Sequence, residues 1–164
     1  MENNKAKFFF GLLRQGMGFT FLWAFLDKTF GLGFATPVER AWLSGGSPTT
    51  GFLTNSPHGP FADLFNSLAG SGLVDWLFML GLLFVGITLT LGIMVKLGSF
   101  SGILMMILMY LAVGLPPENN PVIDDHVIYA LVMGMFMFST PGKYFGFGNV
   151  WYNSSLVQKY KILA

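Results

Sequence analysis

The sequence predicts an all-α membrane protein: a four-transmembrane-helix bundle with a folded extracytoplasmic loop between helices 1 and 2, all in one membrane domain over residues 1–164. Three observations predict it. Hydrophobic residues make up 53% of the chain and charged residues only 10%, where a soluble domain carries about 25% charge. Eighteen phenylalanines exclude a disordered chain. The apolar residues also gather into four long stretches. The same composition excludes other classes. Nine Lys and Arg against eight Asp and Glu leave no basic excess for nucleic acid. With no cysteine, the chain has no disulfide, thiolate metal site, iron–sulfur cluster or Cys nucleophile of its own.

The first span, about 8–26, gives about 28 Å of helix against a hydrocarbon core of about 30 Å. Lys5 and Lys7 precede it as in a signal peptide. Arg14 and Gln15 interrupt the apolar run, however, and bulky Trp23, Phe25 and Leu26 stand where a small-residue cleavage site belongs. The reading is therefore a retained helix. The second span, about 73–95, is apolar apart from Asp75. A tight turn around Lys96 leads to the third, about 97–115, where Gly98 and Gly102 let a neighbouring helix approach closely. The fourth, about 124–141, is the shortest. Its apolar part, Val127 to Thr140, reaches only about 21 Å, so it recruits residues 124–126, runs past Pro141, or thins the bilayer.

Charge sets the orientation. With a cytoplasmic N-terminus, four spans return the C-terminus to the cytoplasm, and the inner side holds Lys5, Lys7, Lys96, Lys143, Lys159 and Lys161. The outer side then holds only Lys28 and Arg40 against Asp27, Glu39, Asp63, Asp75, Glu118, Asp124 and Asp125. The positive-inside rule selects this arrangement: a multi-pass protein of the cell membrane with both termini inside.

The outer loop, 27–72, is too rich in Phe, Leu and Trp to be disordered. Thr36-Pro37-Val38-Glu39 reads as a capping box opening a short helix from Pro37 to about Leu43. Phe61, Leu64, Phe65 and Leu68 predict a second over Pro60 to Ala69. The loop reads as a cap on the outer membrane face. Pro116, Pro117 and Pro121 make a rigid turn before the fourth span, which Asp124 or Asp125 caps. The inner tail, 142–164, mixes Tyr144, Trp151, Tyr152 and Tyr160 with lysines, as an interfacial segment does. Asn153-Ser154-Ser155 is a formal glycosylation acceptor, unused on the cytoplasmic side.

No phosphate loop, dinucleotide fingerprint or zinc-protease motif is present. His58 and His126 both fall outside the span interiors, so a bis-histidine haem within the bundle is not expected. If electrons move through this protein, a bound quinone or another subunit must carry them. Asp27, Lys28, Glu118, Asp125 and His126 end or begin different spans on the outer side. A four-helix bundle would bring them into one ring, read as a substrate or proton-handling site, with plain helix capping as the alternative. No metal is expected, because the spacing of Glu118, Asp124, Asp125 and His126 matches no regular ligand scheme. Arg14 lies inside a span, where charge is expensive and by default functional, with snorkelling to the headgroups as the alternative. The methionines at 105, 106, 109, 133, 135 and 137 read as adaptable packing.

Three segments carry a family resemblance: Phe21-Leu22-Trp23-Ala24-Phe25-Leu26-Asp27-Lys28-Thr29-Phe30-Gly31, Ala41-Trp42-Leu43-Ser44-Gly45-Gly46-Ser47-Pro48-Thr49, and Leu115-Pro116-Pro117-Glu118-Asn119-Asn120-Pro121 with Asp124-Asp125-His126. Over nearly the whole chain the sequence resembles the DoxX/DoxD membrane proteins. The resemblance implies a membrane subunit of an archaeal-type thiosulfate:quinone oxidoreductase, which oxidises thiosulfate to tetrathionate while reducing a quinone. It implies a DoxA-like partner subunit, membrane lipids as surroundings and quinone as the electron acceptor. On this reading Asp27, Lys28, Glu118, Asp125 and His126 are the candidate catalytic residues, and Arg14 and Trp23 the candidate quinone contacts. A non-catalytic accessory subunit of a larger respiratory or other membrane complex is the alternative.

Overall fold

The computed structural model describes residues 4–113, 116, 117, 120–139 and 141–163. The described residues are helical or irregular, with no strand among them. Three helices are long and apolar enough to cross a membrane: α1 (Asn4–Phe30), α4 (Gly72–Leu91) and α5 (Val95–Ala112). Between α1 and α4 lie two short helices, α2 (Thr50–Asn55) and α3 (Ala62–Asn66). After α5 come α6 (Asp125–Phe138), apolar but only 14 residues long, then α7 (Gly148–Tyr152) and α8 (Ser155–Lys159).

The four longest helices share one core. Met17 and Phe21 of α1 meet Met79, Leu82, Val85 and Leu89 of α4, Val95 and Met106 of α5, and Met133 and Phe136 of α6. The helices pack in chain order, and the Phe10 and Phe136 rings join α1 to α6 at 5.5 Å. Lipid tails are as apolar as leucine, so close fit rather than water exclusion must hold such helices together. Glycine supplies that fit. Gly18 lies against Leu89 and Thr90, and Gly86 against the Leu22 backbone, which brings α1 and α4 together. Gly98 receives the Thr88 side chain from α4, and Gly102 receives the Met133 sulfur from α6. The two glycines spaced four apart on α5 thus serve two different neighbours.

Two local expectations need correction. The turn between α4 and α5 lies at residues 92–94, and Lys96 sits in the first turn of α5. Gly92, at φ 77°, takes the left-handed cap position and its N–H donates to the Thr88 carbonyl at 2.9 Å. The expected helix over residues 37–43 is instead two 3-10 turns, Val38–Arg40 and Trp42–Ser44, split by Ala41 in an extended conformation. Ala41 is buried, and its carbonyl accepts from the Ser44 and Gly46 N–H groups, both at 3.0 Å, which a continuous helix would not permit. No side-chain cap bond forms at that start. The expected helix over 60–69 shrinks to a 3-10 turn, Gly59–Phe61, followed by α3.

The loop is nonetheless folded. Leu53 of α2 and Phe65 of α3 pack with Ala112 at the end of α5, and the His58 N–H donates to the Ala112 carbonyl at 3.2 Å. The bundle therefore has two distinct ends. One carries the 31–71 loop, Val113 and residues 120–124. The other carries the 92–94 turn and residues 141–163.

Candidate functional site at the loop end

Asp27 and Asp75 are both buried, at 2% and 7% exposure. Asp27, near the end of α1, accepts from the Phe34 N–H at 3.2 Å and the Ala35 N–H at 3.0 Å, one on each carboxylate oxygen. Asp75, in the first turn of α4, gathers the Ser47 hydroxyl at 2.8 Å, the Thr49 hydroxyl at 2.6 Å and the Thr49 N–H at 3.2 Å on one oxygen. A carboxylate in a first helical turn also meets the positive end of the helix dipole. Lys28 reaches over the Phe78 ring, 5.9 Å from its centroid, and donates to the Pro48 carbonyl at 3.4 Å. These three residues stitch successive parts of the loop onto α1 and α4.

A separate open pocket of about 630 Å³ lies beside the start of α6. Asn55, Ser56, His58, Val113, Asn120, Asp124, Asp125 and His126 are among the residues lining it. Asp124 precedes the helix and caps it, its Oδ1 accepting from the Val127 N–H at 3.2 Å. Its Oδ2 faces His126 Nδ1 at 2.7 Å, and Asp125 Oδ1 lies 3.5 Å from the same nitrogen. A carboxylate can only accept, so Nδ1 carries the proton shared in this hydrogen bond. Burial pushes the Asp124 carboxyl up, but the hydrogen bonds from His126 and Val127 and the His126 charge outweigh it and hold the group below the usual carboxylate value. His58 is oriented the same way, its Nδ1 donating to the Ser56 carbonyl at 2.9 Å. The pocket thus brings together two imidazoles and two carboxylates.

The expected single ring divides. Asp125 and His126 come together in this pocket, whereas Asp27 and Lys28 do not line it and bond to the loop backbone instead. Glu118 lies outside the described residues. Trp23 is half-buried between aromatic rings, stacked on Phe19 at 5.7 Å and edge-on to Phe34 at 5.1 Å. Arg14 sits toward the other end of the bundle and is completely buried. Its Nη1 donates to the Leu89 and Thr90 carbonyls, the latter at 3.2 Å, and its Nη2 to the Phe145 carbonyl at 2.6 Å. Snorkelling is excluded by this burial; Arg14 caps α4. Sequence reasoning missed His58 as a pocket residue. It stands far from His126 in the chain, and only the docking of α2 against α5 brings them together.

No family model, no curated protein and no solved structure matches this chain. The fold itself defines the class: a membrane protein whose described residues form no strand and include three helices long and apolar enough to cross a bilayer.

Proposed function

We propose that this chain is the membrane subunit of an oxidoreductase complex of the DoxX/DoxD kind, serving thiosulfate oxidation coupled to quinone reduction. It crosses the membrane four times, with α6 as the short fourth span and both termini cytoplasmic. The excess of lysines at the end opposite the loop supports that orientation. The observation that carries the reading is the His126–Asp124 pair beside His58 in an open pocket. Quinone reduction takes up two protons with two electrons, and an imidazole oriented through Nδ1 by a carboxylate is a group able to relay protons. Electrons, and the cations that would attract a thiosulfate dianion, come from a partner subunit, since the loop end is rich in acids. Arg14 is engaged by backbone carbonyls, so quinone contact falls to Trp23.

The test is thiosulfate-dependent quinone reduction by the complex purified from membranes. His126→Gln is expected to lower turnover per assembled complex by about 100-fold, the scale of a lost acid–base group. Unchanged turnover would remove the catalytic reading. The accessory-subunit reading is favoured by one observation: the buried charges Arg14, Asp27 and Asp75 are all spent on holding this chain together. It requires Asp75→Ala to reduce the amount of complex and its activity in equal proportion. The native chain lacks cysteine, so topology is read directly from single Cys substitutions. Asn55→Cys should react with an impermeant reagent on intact cells and Ser155→Cys should not.

A further inference from the structure

Residues 141–163 fold into short turns and helices against the bundle rather than trailing from it. The Phe147 N–H donates to the Leu91 carbonyl at 2.9 Å, and the Trp151 indole N–H donates to the Leu163 carbonyl at 2.6 Å. Val157 is buried beneath α8 and Gly148 beneath α7. What this platform exposes is unusual for a water-facing surface. Phe147 is 63% exposed, Val150 75% and Ile162 65%. Lys143, Lys159 and Lys161 are exposed among them. No Asp or Glu occurs after Asp125 anywhere in the sequence. Among the described residues none of the three lysines meets a carboxylate. Lys143 and Lys159 lie over the Tyr152 and Tyr160 rings at 4.9 and 5.3 Å, and Lys161 donates to the Gln158 side chain at 2.8 Å.

We propose that this platform is a binding surface for the headgroups of anionic phospholipids. Two features select that occupant. The charge is one-signed and lies beside exposed apolar side chains, the pattern that seats a segment at a membrane interface and attracts negative lipid. The apolar surface is also continuous with the flank of α1: the Phe145 ring meets Phe8 at 5.5 Å, and Phe8 and its neighbour Phe9 are exposed on a helix long enough to cross the membrane. The apolar side chains enter the acyl boundary while the lysines meet lipid phosphates. The inference does not depend on the activity proposed above.

The test uses the full chain carrying Val150→Cys, labelled with an environment-sensitive fluorophore and placed in nanodiscs. Nanodiscs of phosphatidylcholine alone are compared with nanodiscs holding 30% phosphatidylglycerol. The anionic lipid is expected to shift the emission to the blue and to increase quenching by headgroup-linked quenchers, and 0.5 M salt should reverse much of the shift. Replacing Lys143, Lys159 and Lys161 together by Gln should lower the apparent affinity for phosphatidylglycerol at least tenfold, and replacement by Arg should preserve it. Should the Gln variant not fold, the lipid comparison and its salt dependence still decide. Equal emission in both lipids overturns the proposal. So does a label that reads water in both and is covered only when a partner protein is added.

Discussion

The two ends of the bundle solve the same problem with opposite charges. At the loop end, the buried carboxylates Asp27 and Asp75 collect N–H and O–H donors from a loop that has left regular helix. At the other end, the buried guanidinium of Arg14 collects carbonyl acceptors from the last turn of α4 and from the chain around Phe145. The backbone decides which charge is wanted. Residues 34–49 turn donors toward the helices, and a helix C-terminus leaves carbonyls without partners. A cation there also meets the negative end of the dipole. A charge inside a span is thus not by itself a functional signal here. Its meaning follows from which orphaned backbone groups lie within reach.

The largest effect that would break this comparison is at Arg14. Arg14→Leu takes the donor away from three backbone carbonyls, of which the Leu89 carbonyl is buried, and should cost about 3 kcal/mol, the scale of leaving buried acceptors unsatisfied. Chemical unfolding in detergent measures it, and proteolysis should open residues 142–150 first. Arg14→Lys should recover only part, because one ammonium cannot reach both sides of the fork. Next comes Asp75→Ala, which frees the Ser47 and Thr49 donors. A loss of about 2 kcal/mol is expected, seen as faster cleavage in residues 47–56. If Asp75→Ala cost more than Arg14→Leu, the ranking of the two ends would reverse.

A smaller effect lies at Asp124. Its carboxyl titrates below the usual value in the folded chain, so its contribution is fully present above the unfolded carboxylate pKa of about 4. It is lost as pH falls through the lower folded value. Hydrogen exchange at the Val127 amide should accelerate over that acid window, and Asp124→Asn should abolish the acceleration. The smallest effect is Lys28→Met. Its long 3.4 Å hydrogen bond to Pro48 and its 5.9 Å approach to the Phe78 ring predict a change of about 1 kcal/mol or less in the same unfolding measurement.

Hydropathy made the helices legible. Length and apolarity alone place α1, α4 and α5 within a few residues of where they fold, because a stretch in lipid has few alternatives to helix. The loop was legible only as folded. Its anchors, Asp27 and Asp75, stand out as acids at helix ends, but their partners are backbone N–H groups, which every residue carries and no pattern marks. Ala41 broke the expected helix through tertiary contacts that Thr36-Pro37-Val38-Glu39 does not encode. Thr50–Asn55 forms a helix with no cap bond from the Thr49 side chain and a glycine in its first turn, so propensity gave no sign of it. The candidate site was half legible: Asp125 and His126 are neighbours in sequence, while His58 joins them only through packing.

Arg14 also imposes a timetable on the chain's birth. Its third acceptor, the Phe145 carbonyl, lies 131 residues downstream. The first helix therefore leaves the ribosome with a charge whose full set of partners has not yet been synthesised. Until α4 and then residues 141–147 arrive, that guanidinium must shelter against water, headgroups or the insertion machinery. A nascent chain stopped short of Phe145 carries an unfinished contact at its very beginning.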